Sequence, residues 1–270
     1  MSTALRVALL GATGRMGASL LRCLPEFEGL QLVAAVGRAG SPHLGQDAAI
    51  ASGLPPCGTR LTADLAAALD AADVAIDFST VAATAAHLRA CLVAQRPLVL
   101  GTTGLTDALQ AELARAAERI PLLVAANTSL GVALLAELVQ RAAAALPESF
   151  DIEILEAHHR AKVDAPSGTA LLLGAAAARG RGSRPDTVPV VHGPGSPGPR
   201  PPGQLGYASL RGGDVVGEHE VLFLGAGERL ALGHVATDRS VFARGALSAA
   251  EWLAGQPPGR YQMRDLFAEK

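Results

Sequence analysis

The chain has 270 residues, 49% hydrophobic but only 3% aromatic, with a formal charge of −2, so alanine, valine and leucine must fill its core. That balance excludes a general nucleic-acid or anionic-membrane binder, and no apolar run approaches the ~20 residues of a membrane helix. Three scattered cysteines (Cys23, Cys57 and Cys91) and an N-terminus too glycine-broken for a secretory signal point to a reducing cytoplasm, with no metal-ligand spacing.

RVALL (6–10) reads as a buried strand, GATGRMG as a turn and MGASLLRCL as a helix. LQLVAAVG (30–37), DVAIDFS (73–79), PLVLG ending at Gly101 and PLLVAAN ending at Asn127 read as further strands. Between them LAAALDAA, TAAHLRACLVAQ and LQAELARAAERI have helical spacing. Short apolar runs alternating with amphipathic helices predict a parallel sheet wound by crossover helices. After residue 127 the rhythm changes. A long helix over 130–145 leads to the strand DIEILEAHH and a helix from Thr169 through the alanine run. The proline- and glycine-dense stretch from 180 to 206 reads as a loop. Strand-like runs at YASLRG, DVVGEHEVLFLG and RLALGHVA then predict an open mixed or antiparallel sheet, a second α+β domain. SVFARGALSAAEWLAG is helical and rejoins the first domain.

GATGRMG places Gly11, Gly14 and Gly17 between the first strand and the first helix, where backbone can approach a diphosphate. At the end of the second strand, where an acidic residue would bind a ribose diol, the chain has Gly37 and Arg38. A guanidinium there suits a 2′-phosphate and predicts NADPH over NADH, the alternative being a solvated loop residue. GTTG (101–104) and AANTS (125–129) follow later strands. They form either the wall around a nicotinamide ring or simple turns with caps at Thr106 and Ser129.

EAHHRAKVDAPSGTA (156–170) carries one of only two lysines, Lys162, the other being Lys270. Lysine can be tuned to release a proton where arginine cannot. His158 and His159 can exchange protons near neutrality, and the helix start at Gly168 and Thr169 suits a carboxylate. Together they fit a small dicarboxylate that accepts a hydride and needs a proton. Blander roles remain for each: a structural histidine, an Asp164 ion pair with Lys162 or Arg160, a Ser167 cap. His43, His87, His192, His219 and His234 lack such company in sequence and read as structural or without assignment.

This segment resembles the signature of the 4-hydroxy-tetrahydrodipicolinate (formerly dihydrodipicolinate) reductase family of bacterial lysine and diaminopimelate biosynthesis. The resemblance extends to GATGRMG, DFS at 77–79, GTTG, AANTSLGV, LRGGDVVGEHEVLF and MRDLF. It implies a Rossmann-like dinucleotide-binding domain over 1–127 and 239–270, and a substrate and oligomerisation domain over 128–238, assembled as a homotetramer. By position it implies that Gly11, Ala12, Thr13, Gly14, Arg15 and Met16 line an NADPH or NADH cofactor, with Gly101, Thr102, Thr103, Ala125, Ala126, Asn127 and Thr128. His158 and Lys162 would handle protons, His159, Gly168 and Thr169 would hold a substrate carboxylate, and Arg239 would complete cofactor or inter-domain contacts. Two departures stand out: Gly37 replaces a glutamate common in members using both cofactors, and Val81 replaces an arginine. The loop around 193–203 is also unusually proline-rich. A different amino-acid dehydrogenase and a non-catalytic dinucleotide sensor are the competing readings.

Overall fold

The computed structural model describes residues 4–183 and 199–267, so His192, residues 193–198 of the proline-rich loop and Lys270 lie outside the described residues. The chain divides into two compact units, Met1–Ser129 with Ser240–Lys270, and Leu130–Arg239.

The first unit opens with β1 (Leu5–Leu10), α1 (Arg15–Cys23), β2 (Leu30–Val36), β3 (Leu61–Thr62), α2 (Leu65–Ala71) and β4 (Val74–Asp77). It continues through α3 (Val81–Ala94), β5 (Leu98–Leu100), α4 (Asp107–Ala116) and β6 (Pro121–Val124). The second unit contains α5 (Leu130–Ala145), β7 (Asp151–His158), α6 (Gly168–Gly180), β8 (Leu205–Arg211), β9 (Gly217–Gly225) and β10 (Glu228–Ala236). The chain then returns to the first unit with α7 (Ser240–Leu253) and β11 (Gly259–Tyr261).

All seven strands of the first sheet run parallel, in the order β11-β6-β5-β4-β1-β2-β3. The order reverses between β1 and β4, which opens a crevice at their carboxyl ends. Leu9, Ile76, Val99 and Leu122 are buried because a sheet covered on both faces has no side left for water. Asp64 and Thr106 cap α2 and α4, accepting from Ala67 N (3.0 Å) and Leu109 N (3.3 Å). The strands expected over 73–79 and up to Asn127 stop early, at Asp77 and Val124, and the residues beyond form turns at the sheet edge. The short edge strands β3 and β11 are too brief to leave a periodic signal.

The second sheet is mixed, in the order β10-β9-β7-β8, with β7 parallel to β8 and antiparallel to β9. β7 alternates strictly between half-buried and buried residues. Its buried Ile152 and Ile154 join Val221, Phe223 and Tyr207 against Leu135 and Val139 of α5 and Leu173 of α6. On the opposite face Leu210 and Val235 are exposed, beside a ≈ 340 Å³ cavity also lined by Leu155, Glu218 and Glu220. α5 and α6 approach closely at Gly180, where a Cβ would stand 2.3 Å from the Gln140 carbonyl oxygen and 2.7 Å from Ala143 Cβ. Gly180→Ala should therefore destabilise the second unit by about 1–3 kcal/mol, since backbone cannot yield as a flexible side chain can. Urea denaturation of wild type and variant is the check.

Candidate active site

The first unit offers a backbone cradle. Gly11 has φ +81°, and a Cβ there would lie 2.9 Å from Ser79 Cα across the β1–β4 crevice. At Gly17 a Cβ would lie 2.3 Å from the Ala12 carbonyl oxygen. Gly11 and Ala12 N–H both donate to Val36 O (2.9 and 3.0 Å), which fixes the turn after β1 against β2. Gly14 is the N-cap of α1 and provides no side-chain acceptor, so the first-turn N–H groups stay available to an anion. Thr13, Gly14 and Arg15 are exposed and Met16 is half-buried.

Successive strand ends add further groups at the same carboxyl edge. Gly101 follows β5 and packs so tightly on the Phe78 ring that a Cβ would stand 2.1 Å from it. Thr102 is buried, and its hydroxyl has no hydrogen-bond partner among the described residues. Thr103 is exposed. After β6, Ala125 N donates to Leu100 O (3.0 Å), Ala126 is exposed, and Asn127 Oδ1 accepts from Ser129 N (2.8 Å). Thr128 Oγ1 donates to Phe242 O in α7 (2.6 Å). After β2, Gly37 is buried against Leu61 while Arg38 is exposed. Positions that exclude side chains, a helix start without an acceptor and an orphaned Thr102 hydroxyl fit a bound dinucleotide.

Sequence reasoning left His87 structural or without assignment, and the structure gives it specific partners. His87 Nδ1 lies 2.9 Å from Asp77 Oδ2 and 3.3 Å from Ser79 Oγ. Asp77 is fully buried at the end of β4 and also accepts from Ser79 N (2.8 Å). The cluster fixes the turn that packs on Gly11. Its charge and the burial of Cys91, burial first, push that thiol up to about 12.

In the second unit the buried face of β7 turns polar halfway along. After Ile152 and Ile154 the same alternation buries Glu156 and His158. Glu156 is in register with Ser209 of β8 and His219 of β9, and His158 with Arg211. The Arg211 guanidinium donates to both Glu156 oxygens (2.8 and 2.6 Å). Ser167 N donates to Oε1 (3.2 Å), and His158 Nδ1 lies 2.5 Å from Oε2. Burial alone would raise the Glu156 pKa, but hydrogen bonds from Arg211, Ser209 and His158 hold it at about 2. Burial lowers the His158 pKa, against the opposing pull of Glu156.

His219, likewise left structural or without assignment, also has close partners. Its ring meets that of His158 edge-on at 5.0 Å, and its Nε2 lies 3.0 Å from Ser167 Oγ. His234 pairs with it across β9 and β10, so neither is isolated. Ser167 caps α6, its hydroxyl accepting from Ala170 N (3.1 Å). Gly168 is exposed, with nothing near where a Cβ would stand, and half-buried Thr169 follows in the same first turn. Lys162 Nζ pairs with Asp164 (2.8 and 2.9 Å), and His159 Nε2 lies 3.4 Å from Arg239 Nη2. The structure thus gathers His158, His159, Lys162, Gly168, Thr169 and Arg239 in the second unit. It adds Glu156, Arg211 and His219, which sequence reasoning missed because Arg211 and His219 reach their partners only through strand pairing and the packing of α6.

A glycine cradle at the switch point of a parallel sheet, followed by a mixed-sheet unit, is the plan of a nicotinamide-dependent reductase. The chain belongs to the dihydrodipicolinate reductase family. The family's N-terminal model matches residues 5–128 and its C-terminal model residues 131–267. A 4-hydroxy-tetrahydrodipicolinate reductase of Anaeromyxobacter dehalogenans is 47% identical over 262 residues, 97% of each chain. One from Thiobacillus denitrificans is 48% identical over 265 residues, 98% of this chain and 99% of its own. Among solved structures, dipicolinate-bound dihydrodipicolinate reductase from Paenisporosarcina sp. TG-14 superposes with a TM-score of 0.78 at 26% identity, over 96% of this chain and 98% of its own.

Burial and the neighbouring His158 push the His219 pKa down to about 4. A histidine depressed on folding stabilises the protein above its unfolded pKa of ~6.5, and that contribution is lost as pH falls towards 4. The melting temperature should therefore drop steeply between pH 6.5 and 4. His219→Asn should flatten that slope, which calorimetry across the window measures.

Proposed function

We propose that this chain reduces 4-hydroxy-tetrahydrodipicolinate to tetrahydrodipicolinate with NAD(P)H, in the cytoplasmic route to diaminopimelate and lysine. The observation that carries the reading is the cluster at the end of β7. There a buried imidazole is tied through Glu156 to the start of α6, with Lys162 close enough to act on it electrostatically, in a chain of this reductase family. In the reaction C4 gains a hydride and loses its hydroxyl, which takes up a proton and leaves as water. The cofactor, when bound, supplies the hydride. Gly11, Ala12, Thr13, Gly14, Arg15 and Met16 would hold it by backbone, with Gly101, Thr102 and Thr103 and the segment from Ala125 to Thr128.

Gly168 and Thr169 N–H groups bind one substrate carboxylate, aided by the helix dipole, and His159 supports it. The Arg239 guanidinium beside His159 adds a cationic group there. His158 and Lys162 handle the proton for the departing hydroxyl. An arginine at position 162 could neutralise carboxylate charge but could not release a proton. The exposed apolar residues Leu210 and Val235 on the uncovered sheet face support assembly into a homotetramer.

A coupled assay tests the reading. The preceding synthase would supply substrate from pyruvate and aspartate semialdehyde, and loss of reduced-cofactor absorbance would be followed. Oxidation should require this protein and both precursors, and its absence with bound dinucleotide would favour a sensor. Lys162→Arg should keep substrate binding within a few-fold while kcat falls about 100-fold or more. An unchanged kcat would remove Lys162 from proton handling.

Exposed Arg38, in place of a ribose-binding carboxylate, supports a preference for NADPH. Arg38→Ala should raise the KM for NADPH about tenfold, the loss of one charge-assisted phosphate contact, and leave that for NADH nearly unchanged. Equal effects on both cofactors would refute the assignment.

A further inference from the structure

We infer that Glu156, anchored by Arg211, is a positioning residue that sets the tautomer of His158 and ties it to the start of α6. The inference rests on the reading of His158 as a proton-handling group. An ionised carboxylate can only accept, so a 2.5 Å approach from Nδ1 makes that nitrogen the protonated one. Nε2 is then the working end of the ring. A Cβ built at Gly217 of β9 would stand only 3.1 Å from it. A larger residue at 217 would crowd that nitrogen.

The other Glu156 oxygen accepts from Ser167 N (3.2 Å), the N-cap of α6. One carboxylate therefore holds both the imidazole and the helix start assigned to the substrate carboxylate. Arg211 makes that possible: its two nitrogens bind the two oxygens, and its Nη2 also donates to Asp164 O (2.6 Å). The groups facing His158 are Glu156 on its own strand, Arg211 of β8, His219 of β9, Ser167 at the head of α6 and Lys162 in the loop. Among them only Glu156 carries negative charge.

Two readouts test this on the full-length protein. In nitrogen-resolved NMR, wild-type His158 should be protonated at Nδ1 at neutral pH. Glu156→Gln removes the attracting charge, so its titration should move to lower pH and the tautomers should mix. In turnover, Glu156→Gln should lower kcat at least about tenfold, with the KM for reduced nicotinamide unchanged and the His158 inflection displaced the same way. Should the lone variant fail to fold through its unpaired Arg211, Glu156→Gln with Arg211→Met is read by the His158 tautomer alone, which should again be mixed, because loss of the guanidinium shifts the titration the opposite way. An unprotonated Nδ1 in wild type, or an unchanged titration in the variant, overturns the inference. Absent wild-type turnover would instead count against the substrate assignment, because the NMR readout needs no substrate.

Discussion

A carboxylate with 1% of its side-chain surface exposed governs the second unit. Glu156 sits where the alternation of β7 would otherwise place another isoleucine, on the face that packs against α5 and α6. Burying an ion there is costly unless each lone pair is answered, and removing one partner leaves the charge uncompensated. Arg211, His158 and Ser167 answer it, one from the adjacent strand, one two residues along and one from the head of α6. The compensation forces three elements into one arrangement. A hydrophobic residue at this position would pack as well but specify less.

The first unit meets a different constraint, close approach of glycine backbone to its neighbours. Gly11 against Ser79, Gly17 against Ala12 and Gly101 against Phe78 leave no room for a methyl group. These glycines let the turns after β1, β4 and β5 come together at the reversal of strand order. Asp77 and His87 then hold the β4 turn in place beneath them. Shape here is set by what is missing from the side chains, so little ionisable chemistry is needed around the cradle.

Much of this was legible in the sequence, and the reasons differ by residue. The parallel unit was readable because buried strands leave unbroken apolar runs and helices leave spaced ones. Ser167 and Thr106 were recognisable as caps from local chemistry alone. His158, Lys162 and Gly168 stood out because they crowd into one segment. His219 did not, since its partner Ser167 lies 52 residues away in the chain and is brought near only by the pairing of β7 with β9. A signal existed: His219 precedes Val221 and Phe223 by even steps, which places it on the buried face. Arg211 could be placed only through a parallel pairing that crosses the proline-rich excursion. No local pattern reports such a register.

The two units differ in the physical setting each offers to chemistry. Holding a large dinucleotide asks for surface complementarity, which backbone and small residues provide without a pKa to adjust. Handling a proton asks for ionisable groups in a controlled environment, and that needs a dry, structured interior. The half-polar face of β7 offers such an interior because it grows out of a hydrocarbon core. Phe223 and Ile154 exclude water at one end of the sheet, and the same strands carry His158 and His219 at the other. Burial therefore does two things with one set of strands. It stabilises the unit through Ile154 and Phe223, and it depresses the pKa values of His158 and His219 so that their neutral forms persist. At the exposed margin of that face Lys162 is paired with Asp164.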